Sequence, residues 1–427
     1  MKNLIQTVKG TREFYPQEMG IRIRLYDTIR KVSESFGYQE YDGPFLEKID
    51  LYAAKSGEEL VKEQAFVFPD RGGDLITLRP ELTPSLARMV AQKQGELVYP
   101  LRWWSFGPFW RYEKPQKGRA REFFQWNIDL IGSNAAEADA ELVAICAAFF
   151  KEIGLGSDKV QIFINDRQLM DSEFERIGIL ASQKKTALHL IDRREKMSAA
   201  AWDEYAFNEG ISAESLLSLK TLLDNPEIWK KSATLVRIFK IMEAMGYREY
   251  FTYDPRIVRG LDYYTGTVFE AKEIGKEGRS ILGGGHYDNL VGDVGGDPLP
   301  GVGFAMGDMM LAVVLEKFGL IAGAPKPAAN VLVTVYDEAL LPSSFSVANQ
   351  LRLGGLQVIA YPEAAKLNKQ IKFADRSGIR IAVFLGPDEA AAGQVTVKDL
   401  VTRTQQLVDL ADAPRIIQEM LAVPPAV

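Results

Sequence analysis

The sequence predicts a mixed α/β protein with an antiparallel hairpin in its first part and a smaller α/β domain at its C-terminal end. Three observations lead to this fold class. Residues 102–132 alternate as two strands around a basic loop, residues from about 171 to 240 have a helical pattern, and residues beyond 330 alternate strand and helix patterns. At 427 residues the chain is too long for one ordinary core, so we expect two or three domains.

The composition is that of a folded globular protein, with 47% hydrophobic and 25% charged residues. Its 51 Lys and Arg against 57 Asp and Glu give a net charge of −6, so nucleic-acid binding would need local basic patches. The single cysteine, Cys146, excludes a disulfide framework and a cysteine metal site. The first residues lack a signal-peptide core and no apolar run reaches membrane-spanning length, so we expect a cytoplasmic protein without a membrane segment. An imported organellar protein without its presequence would look the same.

The first elements are predicted to be a helix and several short strands. Apolar residues spaced from Ile21 to Phe36 give one helix face, and Gly37 ends the helix. Gly43-Pro44 then breaks a strand, either as a surface turn or as a contact for a partner subunit. From Phe66 the pattern predicts two strands joined by a turn, followed by a helix.

Glu81 and Thr83 stand at the junction between the second of these strands and the helix. The simplest interpretation is that Thr83 is an N-cap and Glu81 an exposed turn carboxylate. The alternative is that both groups face a ligand. These residues alone do not decide between the two.

The hairpin of residues 102–132 is the region with the strongest functional signal. Side chains on a strand alternate between faces. One face therefore carries polar and aromatic residues from both strands and their ends: Ser105, Gly107, Phe109, Arg111, Glu113, Arg121, Phe123, Gln125, Asn127 and Asp129. The guanidinium groups suit phosphate or carboxylate oxygens, and an aromatic ring can stack on a base. The alternative is the solvated face of an ordinary amphipathic hairpin.

The middle of the chain predicts a long helix, an inserted module and a second hairpin. Residues 134–153 form the helix, and VQIFINDRQLM reads as a buried strand followed by a turn. We expect an inserted helical module at about 171–240, with His189 and residues 193–196 facing solvent. The segments VFEAKEI and RSILGGG then flank GKEG as a hairpin.

Three glycines, Gly283, Gly284 and Gly285, lie inside the last of these strands, which predicts that something approaches the backbone closely. Arg259 precedes the paired tyrosines Tyr263 and Tyr264, which form either a pocket wall or ordinary half-buried sheet positions. No P-loop pattern occurs, so any bound phosphates would be held by arginines.

The C-terminal part begins after a glycine-punctuated strand, an apolar helix and an Ala/Pro/Gly linker at 323–329. About a hundred residues then alternate strand and helix, which predicts a mixed or parallel sheet. They carry a basic stripe of Lys366, Lys369, Lys372, Arg376 and Arg380. The stripe either solubilises a helix surface or contacts RNA phosphates.

Several of these segments resemble the histidyl-tRNA synthetases, which are class II aminoacyl-tRNA synthetases. FWRYEKPQKGRAREFFQ resembles class II motif 2, and RGLDYYTGTVFE and LGGGHYDNLV resemble the two histidine-pocket signatures. TLRPELT resembles the segment that holds the amino group of the substrate. The resemblance covers nearly the whole chain.

The resemblance implies a class II antiparallel sheet flanked by helices, in a catalytic domain of residues 1–325 that contains the helical module. It implies an anticodon-binding α/β domain at 330–427, and a homodimer. The implied reaction joins L-histidine to ATP as histidyl-adenylate, with Mg²⁺ on the leaving pyrophosphate, and then transfers histidine to tRNA(His). No membrane contact is implied.

The same resemblance assigns roles to individual residues. Arg259 and Arg111 are the catalytic cations at the α-phosphate. The ATP-binding residues are Arg111, Glu113, Arg119, Arg121 and Phe123. The histidine-binding residues are Glu81, Thr83, Gln125, Asp129, Arg259, Tyr263, Tyr264, Gly283 and Gly285. The tRNA-contacting residues are Lys114 and Gln116 at the acceptor end, and Lys366, Lys369, Lys372 and Arg376 at the anticodon arm. No residue is assigned to a protein-bound metal.

Three positions depart from the family pattern. Met310 stands where the motif 3 arginine is usual, so either another cation such as Arg119 replaces it, as in family branches that read GD followed by apolar residues, or ATP chemistry is impaired. His286 stands where arginine is commoner and would leave an imidazole near the pocket. Asp129 is shorter than the glutamate of many relatives.

Two other functions are consistent with part of the sequence. Met310 favours a non-catalytic regulatory subunit of ATP phosphoribosyltransferase, a class that resembles the catalytic core but lacks an anticodon-binding domain. A generic RNA-binding protein on the same scaffold would leave the polar hairpin face unexplained.

Overall fold

A computed structural model describes residues 4–53, 63–116, 118–258, 264–275, 280–321 and 327–423. The chain divides into two compact units, residues 1–322 and 323–427. The predicted linker at 323–329 lies at this division, and only its last residues fall in the described ranges. None of the described helices is both long and apolar enough to cross a membrane.

The first unit contains strands β1–β11 and helices α1–α10. Its strands are β1 Gln39–Glu40, β2 Leu46–Lys48, β3 Phe66–Pro69, β4 Leu75–Leu78, β5 Leu101–Trp110, β6 Glu122–Ile131, β7 Val160–Asp166, β8 Phe251–Tyr253, β9 Thr267–Glu273, β10 Ser280–Tyr287 and β11 Gly301–Gly307. Its helices are α1 Pro16–Ser35, α2 Asp50–Ala53, α3 Thr83–Lys93, α4 Ala136–Glu152, α5 Arg167–Arg176, α6 Lys184–Arg193, α7 Ala199–Asn208, α8 Ala213–Leu223, α9 Ala233–Ala244 and α10 Asp308–Lys317.

Among the described residues, eight strands form one large sheet in the order β1-β5-β6-β11-β10-β9-β7-β8. All neighbours are antiparallel except the two edge pairs, β1 with β5 and β7 with β8. A smaller antiparallel sheet has the order β2-β4-β3. The predicted antiparallel sheet with flanking helices is therefore confirmed.

The core lies on the back of the large sheet, under α4. Trp126, Ile128 and Leu130 of β6 are fully buried there, and the Trp126 ring centroid lies 5.2 Å from that of Phe149 on α4. The alternation of β6 therefore sends its apolar residues to the core and its polar residues to the other face, as predicted. Cys146 is buried in the same core as a small hydrophobe.

Two boundaries in the first unit differ from the prediction. Helix α1 begins at Pro16 rather than near Ile21, because proline suits the first helical turn, where its missing N–H needs no partner. The segment after Asp166 is the helix α5 rather than a turn, and the Asp166 carboxylate accepts a hydrogen bond of 2.9 Å from the backbone N–H of Gln168. The residues from α5 to α9 are helical, with His189 exposed.

The second unit contains strands β12–β16 and helices α11–α14. These are β12 Val331–Val333, α11 Leu341–Leu353, β13 Val358–Ala360, α12 Leu367–Arg376, β14 Ile381–Phe384, α13 Pro387–Ala392, β15 Gln394–Asp399, β16 Gln405–Asp409 and α14 Ala413–Ala422. Within the described residues, the sheet order is β13-β12-β14-β15-β16. Its first three strands are parallel and the last two are added antiparallel, so the predicted mixed sheet is confirmed.

Candidate active site

The floor of the candidate site is the front face of the large sheet. Gln125 of β6 lies opposite Gly107 of β5 and Gly307 of β11 in the strand register. Asp129 lies opposite Gly303 in the same way. Residues directly opposite in antiparallel strands point to the same face, so the polar residues of β6 stand among glycines of the neighbouring strands.

The glycines leave the backbone of this floor uncovered by side chains. A Cβ on Gly303 would lie 2.0 Å from Asp129 Oδ1, and a Cβ on Gly285 would lie 2.9 Å from Tyr264 Cδ1. Among the described residues, a Cβ on Gly283 would meet its nearest atom, the Phe269 carbonyl oxygen, only at 3.9 Å. The backbone itself therefore forms the bottom of the site, and no described residue crowds Gly283 from above.

A cavity opens where β6 begins, between the hairpin loop, β10 and the start of α10. Its lining consists of Arg111, Glu113, Gly118, Arg119, Ala120, Phe123, Ser280, Ile281, Gly307, Met309 and Met310. Four of the five predicted ATP-binding residues are thus brought together in this lining, and Arg121 is not among them.

Arg111 is held in place by its surroundings. Its Nε donates a 2.9 Å hydrogen bond to the Pro80 carbonyl oxygen, and its Cζ lies 5.4 Å from the Phe123 ring centroid. The Arg119 side chain is instead 64% exposed, with Nη1 3.3 Å from Glu113 Oε2. The cavity therefore has one preorganised cation beside an aromatic ring and a second cation on its rim.

Arg121 and Met310 lie at the margins of the cavity. Arg121 Nε donates to the Glu113 carbonyl oxygen at 3.3 Å, and its Cζ lies 4.2 Å from the Tyr112 ring centroid. A Cβ on Gly118, which has a φ of +78°, would lie 2.1 Å from Met310 Sδ. Met310 therefore closes the cavity against the hairpin loop by contact and supplies no charge there.

At the other end of the floor, Asp129 is buried beside two tyrosines. The Tyr287 hydroxyl donates a 3.1 Å hydrogen bond to Asp129 Oδ1. Burial raises the pKa of Asp129 to about 7, against the opposite effect of the Tyr287 hydrogen bond. Tyr264 packs with Tyr287 and with Ala87 of α3. A buried carboxyl of this kind favours a cationic ligand, which stabilises its ionised form.

Glu81 is not an exposed turn carboxylate, and Thr83 is not an N-cap. Glu81 is buried and only 6% exposed, so it is not an exposed turn carboxylate. Thr83 is the first residue of α3 and Leu82 is the N-cap residue, with no side-chain capping bond. Thr83 and Ala87 share one face of α3, the face that packs toward Tyr287.

Part of the predicted site lies outside the described residues. Arg259 and Tyr263 are in the gap between residues 258 and 264. Lys114 and Gln116 are exposed on the hairpin loop, where Gln116 and Arg119 exchange backbone hydrogen bonds of 3.1 and 2.8 Å. The loop therefore presents polar side chains beside the cavity.

Comparison with known proteins agrees with this geometry. A family model described as histidyl-tRNA synthetase matches residues 10–310, and one described as an anticodon binding domain matches residues 330–420. The chain belongs to the histidyl-tRNA synthetase family. A histidine–tRNA ligase of Opitutus terrae is 37% identical, over 96% of both chains. The chloroplastic/mitochondrial histidine–tRNA ligase of Arabidopsis thaliana is 36% identical over 95% of this chain and 85% of the relative.

Solved structures give the same result for the fold. The histidyl-tRNA synthetase of Nostoc sp. PCC 7120 superposes with a TM-score of 0.82 at 29% identity, over 98% of this chain and 100% of that one. A Bacillus halodurans structure titled ATP phosphoribosyltransferase regulatory subunit/histidyl-tRNA synthetase has a TM-score of 0.74 at 20% identity, over 90% and 99% of the two chains. At 20% identity, this second similarity shows a shared fold and nothing about function.

His286 does not face the pocket, and the expectation that it leaves an imidazole there is wrong. It lies opposite Val302 on the back of the sheet, and its Nδ1 is 2.8 Å from Asp139 Oδ1 on α4. Burial by itself would lower the pKa of His286, but the hydrogen bond and charge of Asp139, with Asp288 nearby, raise it overall. The pair therefore joins the sheet to its covering helix rather than contacting a ligand.

Arg79 is a buried residue of the TLRPELT segment that sequence reasoning did not assign. Its side chain is fully buried, with Nη1 2.5 Å from Asp42 Oδ1 and Nε donating to the Pro108 carbonyl oxygen at 2.9 Å. It thus connects the Gly43-Pro44 turn to β5. An arginine at a strand end carries no local signal that it will be buried. Tyr287 was part of a quoted motif and was likewise not assigned.

In the second unit, most of the basic stripe is exposed as predicted. Lys366, Lys369, Lys372 and Arg376 are all exposed on or beside α12, and Lys369 Nζ lies 2.7 Å from Glu363 Oε1. Arg380 does not belong with them, because its Nη2 lies 2.8 Å from the buried Asp399 carboxylate. The ion pair fixes Arg380 inside the unit.

Proposed function

We propose that this chain activates histidine with ATP and transfers it to the 3′ end of tRNA(His). The observation that carries the proposal is the pairing of two sites on one sheet face. A buried carboxyl suited to a cationic amino acid, Asp129, shares the floor with an arginine-lined cavity suited to phosphates. Membership of the histidyl-tRNA synthetase family gives this pairing its chemistry.

In the first step, a carboxylate oxygen of histidine bonds to the α-phosphorus of ATP, and the bond from that phosphorus to the pyrophosphate oxygen breaks. Negative charge gathers on the phosphate oxygens, where preorganised cations are most effective. Arg111, held by Pro80, supplies such a cation. Arg259 is the second, on the basis of the family resemblance. Phe123 stacks on the adenine and Glu113 holds it.

The remaining ATP contacts fall to Arg119 and Arg121. Arg119 is on the rim of the cavity, and we assign it to the β- and γ-phosphates of the bound nucleotide. Arg121 contacts Tyr112 and must turn from that ring to bind a phosphate. Because Met310 is uncharged, Arg119 replaces the motif 3 arginine in this assignment.

Histidine is held by polar groups around its ammonium group and its ring. Asp129, Glu81 and Thr83 bind the ammonium group of histidine and form the polar edges of the pocket. A site that hydrogen-bonds both imidazole nitrogens rejects isosteres that lack them. The other proposed histidine contacts are Gln125, Tyr263, Tyr264, Gly283 and Gly285.

In the second step, a hydroxyl of the terminal ribose of tRNA attacks the acyl carbon of histidyl-adenylate. AMP leaves with the electron pair of the acyl–oxygen bond, and the proton of the hydroxyl passes to a phosphate oxygen of the departing AMP. Lys114 and Gln116 on the exposed hairpin loop meet the acceptor end. The resulting contacts are mainly to phosphates and sugars.

Mg²⁺ belongs to this proposal as part of the ATP substrate. The described residues contain no group of three or more His, Cys, Asp or Glu side chains arranged to hold a metal ion. Magnesium commonly binds mainly through substrate phosphates, so it would enter the cavity together with the nucleotide. When bound, Mg²⁺ neutralises charge on the leaving pyrophosphate.

The test of the proposed function is histidine-dependent exchange of labelled pyrophosphate into ATP. Wild-type protein with Mg²⁺ should catalyse exchange only when histidine is added, and Arg259→Ala should abolish it. Arg237→Met, an exposed arginine on α9, is the matched control and should exchange normally. Histidine binding without exchange would overturn the proposal and favour the regulatory-subunit alternative.

Asp129 gives the reaction a predicted pH dependence. Because its pKa is raised to about 7, the carboxyl is protonated below that pH and must lose a proton before it binds a cation. We expect kcat/KM for histidine to fall by up to about tenfold per pH unit below pH 7. Asp129→Asn should lose this part of the profile, while protonation of the substrate itself affects both proteins equally. Parallel profiles for the two proteins would contradict the assignment.

The homodimer implied by the family is also part of the proposal. One face of the three-stranded sheet forms an apolar, partly exposed patch, and its residues are Leu46, Phe66, Phe68, Ile76 and Leu78. Exposed apolar surface of this kind is typical of subunit interfaces. We extend the proposal to a cytoplasmic location, which rests on family membership.

Placing a charge in this patch should separate the subunits. Phe68→Asp is expected to weaken the dimer by at least about a hundredfold, because an unpaired charge at an interface costs several kcal/mol. Sedimentation velocity at micromolar concentration would measure the change. Leu353→Asp alters a side chain that is 82% exposed in the second unit and should leave the assembly intact. A Phe68→Asp protein that sediments like the wild type would exclude this patch.

In the proposed domain arrangement, residues 330–427 bind the anticodon arm through Lys366, Lys369, Lys372 and Arg376. Lys372→Glu with Arg376→Glu should raise the KM for tRNA. The slope of the logarithm of tRNA affinity against the logarithm of salt concentration should become shallower by about one for each lost phosphate contact. Pyrophosphate exchange, which needs no tRNA, should not change. Arg415→Glu on α14 is the control for charge reversal on another helix of the same unit. An unchanged KM for tRNA would assign the stripe to solubility.

A further inference from the structure

One ion pair joins residues that are 296 positions apart in the first unit. Arg12 Nη2 lies 2.7 Å from Asp308 Oδ2, with side chains that are 25% and 11% exposed. The other oxygen, Asp308 Oδ1, accepts a 2.9 Å hydrogen bond from the backbone N–H of Phe124. Asp308 therefore connects three elements: the N-terminal segment, strand β6 and helix α10, of which it is the first residue.

The N-terminal segment, residues 8–14, also lies directly against the hairpin. The Gly10 carbonyl oxygen accepts hydrogen bonds from the backbone N–H groups of Arg121 at 2.9 Å and Glu122 at 3.2 Å. Gly10 has a φ of +89°, and a Cβ there would lie 2.9 Å from Arg121 Cγ. The segment thus approaches β6 so closely that only glycine fits at this point.

Aromatic and cationic groups complete the same contact. The Phe14 ring meets the Phe124 ring edge-on at 6.2 Å, and Arg22 Cζ lies 3.4 Å from the Phe124 ring centroid. Burial lowers the pKa of Arg22, while the charge of Asp308 raises it and that of Arg12 lowers it further. The Asp308 carboxylate thus attracts two guanidinium groups, and Glu122 adds a weaker attraction on Arg22, in a cluster that is only partly exposed to solvent.

The cluster lies behind two walls of the ATP cavity. Phe123 on one wall precedes Phe124, and Met309 and Met310 on the other follow Asp308. Met310 holds neither a phosphate nor the loop by charge, so its position depends on how α10 is anchored. The anchor is Asp308.

We propose that Arg12 and Asp308 are positioning residues for ATP, which hold the N-terminal segment and α10 against β6 so that both cavity walls keep their spacing. The assignment rests on the proposed function, because it takes ATP as the ligand of the cavity. Asp129 follows Phe124 by five strand residues, or roughly 16 Å, so the histidine end is remote from the cluster.

The test measures KM for ATP and KM for histidine separately in pyrophosphate exchange. Arg12→Met removes the cation, and Asp308→Asn removes the charge while keeping an oxygen that can accept from the Phe124 N–H. Each should raise KM for ATP about tenfold and change KM for histidine less than twofold, since a lost charge-assisted hydrogen bond has an effect of this size. Arg12→Lys should restore most of the wild-type KM. The double variant should be no worse than the worse single variant, because both remove one interaction.

Arg102→Met provides the matched control. It breaks the Arg102–Glu141 pair, which has a 2.8 Å contact and side chains 34% and 24% exposed, near the opposite end of β5. Both KM values should stay at the wild-type level in this variant even if its thermal stability falls.

Three results would overturn the inference while leaving the proposed function intact: an unchanged KM for ATP, an equal rise in both KM values, or a rise that simply follows loss of thermal stability. If Arg12→Met does not fold, Arg12→Lys and Asp308→Asn decide. Asp308→Asn should raise KM for ATP alone, and equal effects on both substrates would reject the inference. Absence of exchange in the wild type would instead count against the proposed function.

Discussion

Replacing Arg111 by alanine is expected to reduce the rate of histidine-dependent pyrophosphate exchange by about 10²- to 10³-fold. Arg111 lines the cavity proposed to bind ATP, and its Nε is already bound to the Pro80 carbonyl oxygen, so its orientation is set before the substrate arrives. Loss of one preorganised donor at developing charge typically costs about 2.7–4 kcal/mol. The loss should lie mainly in kcat, because the charge is greatest in the transition state.

Two further variants sharpen the result. Arg111→Lys should rescue little, because an ammonium group cannot bind Pro80 and a phosphate with the same planar geometry. Arg119→Met should have a smaller effect than Arg111→Ala. The Arg119 side chain is 64% exposed, so water can take over its interactions when the guanidinium group is removed. Exchange by Arg111→Ala at more than a tenth of the wild-type rate would remove Arg111 from the chemistry.

Replacing Gly303 by alanine is expected to raise KM for histidine by about a hundredfold. The new methyl carbon would lie 2.0 Å from Asp129 Oδ1 and 2.9 Å from the Ile128 carbonyl oxygen. The carbonyl belongs to the paired strand and cannot move, so the carboxylate must be displaced. A displacement of about 1 Å at a reacting site can cost about a hundredfold.

Gly283→Ala separates a clash with the protein from a clash with the ligand. Within the described ranges its Cβ would meet no protein atom closer than 3.9 Å, so the variant should fold with wild-type stability. If histidine or its adenylate lies above Gly283, KM should still rise. Gly20→Ala on α1, where nothing lies within 4 Å, is the neutral control.

Wild-type kinetics in Gly303→Ala would show that Asp129 does not bind histidine.

The parts of the fold that were predicted from the sequence depend on local patterns. The alternation in β6 assigned Gln125 and Asp129 to one face and Trp126 to the core, because side chains of a strand alternate whatever the rest of the chain does. The strand before α10 was likewise predicted from a local pattern, in which glycines interrupt apolar residues. Helix starts were less certain, since Pro16 and Asp166 act through the geometry of a single residue.

The parts that were missed depend on pairs of residues far apart in the chain. Arg12 and Asp308 are ordinary charged residues until the fold brings them together, and so are His286 and Asp139, 147 positions apart. Arg79 is buried because Asp42 and Pro108 meet it, and neither partner can be named from the sequence. A charge alone does not specify which opposite charge it will contact, so the sequence does not reveal these pairs.

The glycine floor limits how substrate choice can be changed. Gly285 and Gly303 have no side chain to shorten, so every substitution on the floor adds atoms to the pocket and none removes them. Engineering for a bulkier amino acid must therefore start from the walls, where Tyr264 and Tyr287 have volume to give up. Variants of the floor itself can select only for smaller substrates.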